Sequence, residues 1–325
     1  MSGGLSILTM KELDFKPGHI DCSVYGQRMV EECVLSTHDG LRRLRIQVSV
    51  PVENSIPASG LPVIFMLDGN AVFDRFCHSG ASQVHPGAGG ATGGASSTTL
   101  NAQAGVVDLS SLLVVGIGYD TTVTTVADGR AYDYTPQIPG VADLRDPRVP
   151  ARRAGGADVF IQTLVQVIWP AIKTRYPVRD NASVLYGHSY GGLCVLHTLF
   201  RQPSLFARWI AVSPSLWWHD RYLLREASEF VQQNASAFRN FQTHIALMAG
   251  TQEQLRQKPI GVDSITEANR PQGIPTLPWV RDLAGQLGCM NGLNAQFIEL
   301  PGADHRGALH MSIPRALSLV RQWFL

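Results

Sequence analysis

The stretch Ser183-Val184-Leu185-Tyr186-Gly187-His188-Ser189-Tyr190-Gly191-Gly192 constrains the fold of this chain more than any other. An apolar strand runs straight into Gly187-His188-Ser189-Tyr190-Gly191. Leu193, Cys194, Val195, Leu196 and Leu199 then follow at a spacing that suits a buried helix. A strand, a tight turn and a helix form the elbow on which a serine hydroxyl is lifted above a sheet. Gly187 and Gly191 lack the Cβ atoms that would collide where strand and helix meet so closely, and the serine between them must hold a strained backbone. Gly-x-Ser-x-Gly is a weak pattern by itself in a chain with 31 glycines. The flanking strand and helix give it meaning and make Ser189 a candidate nucleophile.

The remaining text supplies a sheet for that elbow. Leu41 to Val50 alternates apolar and polar residues as a half-buried antiparallel strand does, after a turn at His38-Asp39-Gly40. Pro62 to Leu67 and Ser111 to Ile117 are continuous apolar runs, the mark of strands covered on both faces. Asp158 to Tyr176 spaces Phe160, Leu164, Ile168 and Ile172 as a helix. Strands at Trp209–Ser213, His244–Ala249 and Ala295–Leu300 alternate with helices at His219–Gln233, Pro278–Leu287 and Met311–Leu325. The expected fold is one doubly wound α/β domain, with a mostly parallel central sheet and helices on both faces. Residues 1–26 read as an N-terminal extension and 27–325 as the catalytic domain. Within it, residues 79–99 form a Gly/Ala/Ser-rich loop insertion expected to be flexible.

Composition removes several functional classes. A net charge of +1, with 16% charged residues, provides no basic field for nucleic acid. The apolar runs are far shorter than the roughly eighteen residues that cross a bilayer, so no membrane partner is expected. The N-terminus has no basic start and meets Glu12 and Asp14 early, which reads as a cytoplasmic protein. Five scattered cysteines fit reduced thiols. Gly116-x-Gly118 follows a strand but lacks the third glycine and the helix that a dinucleotide site needs. With no metal spacing and no phosphate-cradling loop, no cofactor is expected.

Acyl transfer by Ser189 needs a base, a group that orients the base, and donors for an oxyanion, all at strand ends. Pro301-Gly302-Ala303-Asp304-His305 follows the last strand, in what reads as a Gly-rich loop before the final helix, and makes His305 the candidate base. His188 sits inside the elbow, His197 on a helix and His244 at a strand start, while His310 fits less well. Glu253, after the strand ending at Ala249, is the candidate orienting acid. Asp263, Asp282 or a Ser/His dyad without an acid are the alternatives. The backbone N–H groups of Tyr190 and Asn70 are the candidate oxyanion donors.

Phe65-Met66-Leu67-Asp68-Gly69-Asn70, Val115 to Asp120, Arg130 to Pro136, Gly187 to Gly192, Ser213 to Trp218 and Asp304-His305 occur in the order of a known group. Together they resemble the esterase D-like branch of the α/β-hydrolases, and within it the enterochelin-esterase-like siderophore hydrolases. The resemblance implies a serine esterase that hydrolyses the trilactone esters of a catecholate siderophore, in its ferric form, for iron acquisition. It places Ser189 and His305 at the nucleophile and base positions, and Asn70 and Tyr190 at the oxyanion positions. It also places Arg130 near the substrate entrance, where a guanidinium suits a multiply charged anion; an ion pair with Asp133 is the alternative. Trp217 and Trp218 offer flat faces to catechol rings, with one of the two expected to cover the core instead. A general carboxylesterase acting on small acyl esters, and a non-catalytic binding protein on the same fold, are the competing functions.

Overall fold

The computed structural model describes residues 13–17, 28–37, 40–51, 56–78, 111–123, 125–234, 243–253 and 274–325. The insertion expected at residues 79–99 lies outside them, as does Asp263.

Among the described residues nine strands form one sheet in the order β1-β2-β3-β5-β4-β6-β7-β8-β9. The first four places are antiparallel: β1 (Lys16–Pro17), β2 (Arg28–Ser36), β3 (Arg43–Pro51) and β5 (Leu113–Tyr119). From β5 onward every pairing is parallel, through β4 (Leu61–Leu67), β6 (Val178–His188), β7 (Arg208–Val212), β8 (Thr243–Gly250) and β9 (Leu293–Leu300). Every residue of β4 and β5 is buried, as their unbroken apolar text requires of strands sandwiched between helices.

Helices cover both faces, as expected. α1 (Gly69–His78) and α8 (His305–Phe324) pack Val72, Phe73, Phe76, Ile313, Leu317 and Val320 against Ile64, Met66, Val114, Val184 and Ile210. The opposite face carries α3 (Ala157–Thr163), α4 (Trp169–Arg175), α5 (Tyr190–Arg201), α6 (Trp218–Asn234) and α7 (Thr276–Gly288). A short α2 (Ala127–Asp133) interrupts the irregular segment between β5 and α3. The helix expected over Asp158–Tyr176 is present, but it passes through a π turn at Leu164–Ile168 just before Pro170. Proline cannot donate to the preceding turn, and the wider register there accommodates the interruption. The Gly116-x-Gly118 pair serves packing: a Cβ on Gly116 would lie 2.8 Å from the Phe73 ring, and one on Gly118 2.1 Å from Asn70 Oδ1.

One charge cluster around a buried histidine joins three of these helices. His197 of α5 is 2% exposed, with Nδ1 2.7 Å from Glu226 Oε2 on α6 and Nε2 3.3 Å from Asp158 Oδ1 on α3. A carboxylate can only accept, so both ring nitrogens donate and the ring is an imidazolium. Burial opposes that charge, but the bonds to Asp158 and Glu226 outweigh it and hold His197 above the usual histidine range. The resulting stabilisation is complete below the unfolded histidine value of about 6.5 and is lost as pH rises through the higher folded value. Thermal denaturation from pH 6 to pH 9 is therefore expected to show a falling midpoint. His197→Gln should cost about 1–3 kcal/mol at pH 6 and flatten that fall. An unchanged pH slope in the variant would refute the assignment.

Candidate active site

Three parallel strands end beside one another, and at each end the chain turns through a left-handed backbone at a residue other than glycine. These are Asp68 after β4 (φ 62°), Ser189 after β6 (φ 60°) and Ser213 after β7 (φ 44°). Such conformations cost on the order of 1–3 kcal/mol each and persist only where surrounding bonds hold them. Ser189 N–H donates to Val212 O at 2.9 Å, while its own carbonyl accepts from Leu193 N at 2.9 Å and Ser215 N at 3.1 Å. Gly187 has the role expected, since a Cβ there would fall 2.4 Å from the Gly191 backbone, whereas a Cβ on Gly191 would come no nearer than 3.3 Å, to Asp68 Oδ2.

The structure brings the three residues singled out for acyl transfer into one chain of hydrogen bonds. Ser189 Oγ lies 3.0 Å from His305 Nε2, and His305 Nδ1 lies 2.9 Å from Glu253 Oε2. Glu253 has a side chain only 1% exposed, and its second oxygen accepts from Gly250 N at 2.7 Å and from Ser213 Oγ. With Oε2 accepting from Nδ1–H, Nε2 is free to accept the Ser189 proton. Asp282 lies on the exposed face of α7, far in role from this chain.

His305 is the first residue of α8 rather than part of a loop, because Asp304 caps the helix by accepting from Gly307 N at 2.7 Å. The helix thus starts six residues before the apolar pattern shows it, at an Asp-x-x-Gly sequence that is itself an N-cap signal. His188 is not a competing base. It is buried and donates Nε2–H to the His305 carbonyl at 2.8 Å, with the two rings 4.8 Å apart. Burial first, then the neighbouring His305 and Arg130 charges, hold it well below the ordinary histidine range, so it supports His305 as a neutral ring.

Tyr190 and Asn70 are the first residue of α5 and the second of α1. Their N–H groups therefore belong to the set that a helix leaves without internal acceptors. The Asn70 side chain fixes its loop against β5, donating to Tyr119 O at 3.0 Å and Thr121 O at 2.9 Å and accepting from Tyr119 N at 2.6 Å. The Tyr190 phenol donates to buried Asp146 at 2.9 Å.

The ion-pair alternative given for Arg130 needs correction, while the expectation that one of Trp217 and Trp218 covers the core is met. Arg130 does not pair with Asp133, which binds Arg42 at 2.7 Å; it makes a two-point pair with Asp68, at 2.5 and 3.0 Å, and is 16% exposed. Its guanidinium braces the β4 end against the elbow instead of standing open to solvent. Trp218 is 1% exposed and belongs to the core, so it presents no face to a ligand. Trp217 is the half-buried member of the pair, and its ring lies 6.0 Å from Tyr190 and carries the Arg148 guanidinium stacked at 3.7 Å. Arg148 was not legible in the sequence, because the loop that brings it to Trp217 has no periodic pattern. Asp146 fixes that loop by accepting from Arg148 N and Val149 N.

Among the described residues, no group of three or more His, Cys, Asp or Glu side chains is arranged to hold a metal ion, and no helix is long and apolar enough to cross a membrane.

The chain is similar to several known esterases. The siderophore enterobactin esterase of Emericella nidulans is 36% identical over 148 residues, 44% of this chain and 48% of the relative. The chain thus spans about half the length of the first curated relatives it matches. The apo-salmochelin esterase of Escherichia coli is 29% identical over 284 residues, 86% of this chain and 75% of the relative. The solved structure of siderophore hydrolase EstA from Aspergillus nidulans shares the fold, with a TM-score of 0.69, 24% identity, and coverage of 91% of this chain and 95% of that one. The family described as "Putative esterase" matches residues 121–293, more than half of the sequence, and the chain belongs to that family.

Proposed function

We propose that this protein is a serine esterase that opens the trilactone of a catecholate siderophore. The observation that carries the esterase reading is the continuous Ser189–His305–Glu253 chain at the carboxyl ends of parallel strands. In this reading Ser189 Oγ attacks the ester carbonyl while His305 Nε2 takes its proton. The oxyanion is held by the N–H groups of Tyr190 and Asn70. His305 then returns the proton to the departing alcohol, and water releases the acyl group by the same steps in reverse order. Glu253 keeps Nδ1 protonated and stabilises the imidazolium.

The siderophore reading draws on the substrates named for the relatives, which include enterobactin, triacetylfusarinine C and salmochelin. It draws also on the cation and ring that stand together as Arg148 and Trp217. A ferric tris-catecholate is anionic and presents flat rings, so a guanidinium stacked on an indole matches both properties. The role expected of Arg130 passes in this reading to Arg148.

The reading extends to iron release in the cytoplasm. Cys33, Cys77 and Cys194 are free and buried, and burial pushes the Cys33 thiol up to about 12 and the Cys77 thiol up to about 11. Unpaired, unreactive thiols suit a reducing compartment.

Product analysis of the purified protein with ferric and iron-free catecholate trilactone, beside a simple butyrate ester, tests the substrate. Linear trilactone fragments are expected, and Arg148→Ala should raise KM for the ferric substrate about 10-fold without altering that for butyrate. Cleavage of butyrate alone would move the function to a general carboxylesterase.

A further inference from the structure

Ser213-Pro214-Ser215 touches both ends of the hydrogen-bond chain just described. At one end the Ser213 hydroxyl donates to Glu253 Oε1. At the other, Ser215 Oγ lies 3.3 Å from Ser189 Oγ. The five side chains form a sequence, Ser215, Ser189, His305, Glu253 and Ser213, closed into a ring by two peptide bonds.

This segment is held firmly against the elbow. Ser213 N–H donates to Met248 O at 2.8 Å, Ser215 N–H to the Ser189 carbonyl at 3.1 Å, and Trp218 N–H to Ser215 O at 3.0 Å. Gly192 admits it, since a Cβ there would lie 3.1 Å from Pro214 Cα and 2.9 Å from Val212 O. Ser215 is 2% exposed, so its hydroxyl is shielded from water, and the side-chain partner that the structure gives it is Ser189 Oγ. A buried hydroxyl fixed beside a nucleophile is placed to act on it.

Resting on the esterase reading of Ser189, we propose that Ser215 is a further catalytic residue, whose O–H donates to Ser189 Oγ throughout turnover. In the resting enzyme this donation occupies one lone pair of Ser189 Oγ and leaves the Ser189 proton directed at His305 Nε2. After acylation, Ser189 Oγ is the bridging oxygen of the acyl-enzyme. Water then adds to the acyl carbon and gives a proton to His305. As the carbon–Oγ bond breaks, its electron pair stays on Oγ and His305 returns the proton there. Ser215 transfers no proton; its hydrogen bond stabilises the charge that develops on Oγ as that bond breaks. Deacylation therefore depends on it more than acylation does.

The test compares Ser215→Ala and Ser215→Cys with the wild type on a p-nitrophenyl butyrate ester, by pre-steady-state kinetics. Cysteine keeps the shape of the side chain, at a slightly larger volume, but is a much weaker donor. Both variants are expected to lose about 10- to 100-fold in kcat, with KM falling alongside it so that kcat/KM stays within about 2-fold, and to show a burst of nitrophenol as the acyl-enzyme accumulates. A wild-type kcat in the cysteine variant, or a loss without a burst and with KM raised in proportion, would overturn the proposal and leave Ser215 a packing residue. Ser189→Ala in the same assay separates the two levels. If it remains active the esterase reading itself fails, whereas a silent Ser189→Ala beside fully active Ser215 variants overturns only the role of Ser215.

Discussion

Ser189→Ala is expected to lower kcat on any ester the protein hydrolyses by about 10⁶-fold, with the fold intact. The expectation follows from position. The hydroxyl is the group that His305 Nε2 faces at 3.0 Å, which places that base directly behind it. Ser215 is the nearest hydroxyl, but the same contact that places it beside Ser189 Oγ turns it toward the nucleophile. An alanine at 189 retains the N-terminus of α5 and its N–H groups, so binding should survive. A fluorophosphonate that labels active-site serines should modify the wild type at Ser189 and leave the variant unmodified. Wild-type protein that takes no label would revive the reading of the chain as a binding protein.

Glu253→Gln is expected to cost about 10⁴-fold in kcat, and the reason lies in a donor that cannot turn round. Gly250 N–H points at Oε1 from 2.7 Å and demands an acceptor there. Glutamine satisfies it by placing its carbonyl oxygen toward Gly250 and its NH2 toward His305. Facing a donor, His305 Nδ1 becomes the acceptor and the ring carries its hydrogen on Nε2, the nitrogen that must receive the Ser189 proton. The Ser213 hydroxyl can rotate and imposes no choice. The variant should therefore fold and bind, yet fail to activate the nucleophile. A kcat within about 10-fold of wild type would mean that a Ser/His dyad suffices and that Glu253 only fills space.

These two residues differ in how well the sequence announces them. Ser189 sits in a local pattern: a buried strand, two glycines and a buried helix all lie within the same stretch, and each has a steric reason that can be stated before any fold is known. His305 and Glu253 are legible only through order along the chain, since their partners stand 116 and 52 residues apart. The alternation of strands and helices was enough to place them at strand ends. Closure of the chain required the actual register of β6 to β9.

The sequence alone determined the doubly wound sheet and the elbow and put the candidates Ser189, Glu253 and His305 at strand ends, because hydrophobic period and turn glycines are local properties of the chain. Tertiary structure alone decided the rest. Which carboxylate takes Arg130, which tryptophan enters the core, and which hydroxyls bracket Ser189 and Glu253 depend on side chains meeting across strand ends far apart in sequence. Asp68, Ser189 and Ser213 accept left-handed backbones because distant parts of the chain hold them: Ser189 and Ser213 donate to Val212 and Met248 on neighbouring strands, and Asp68 is held by the Tyr134 phenol and by Arg130.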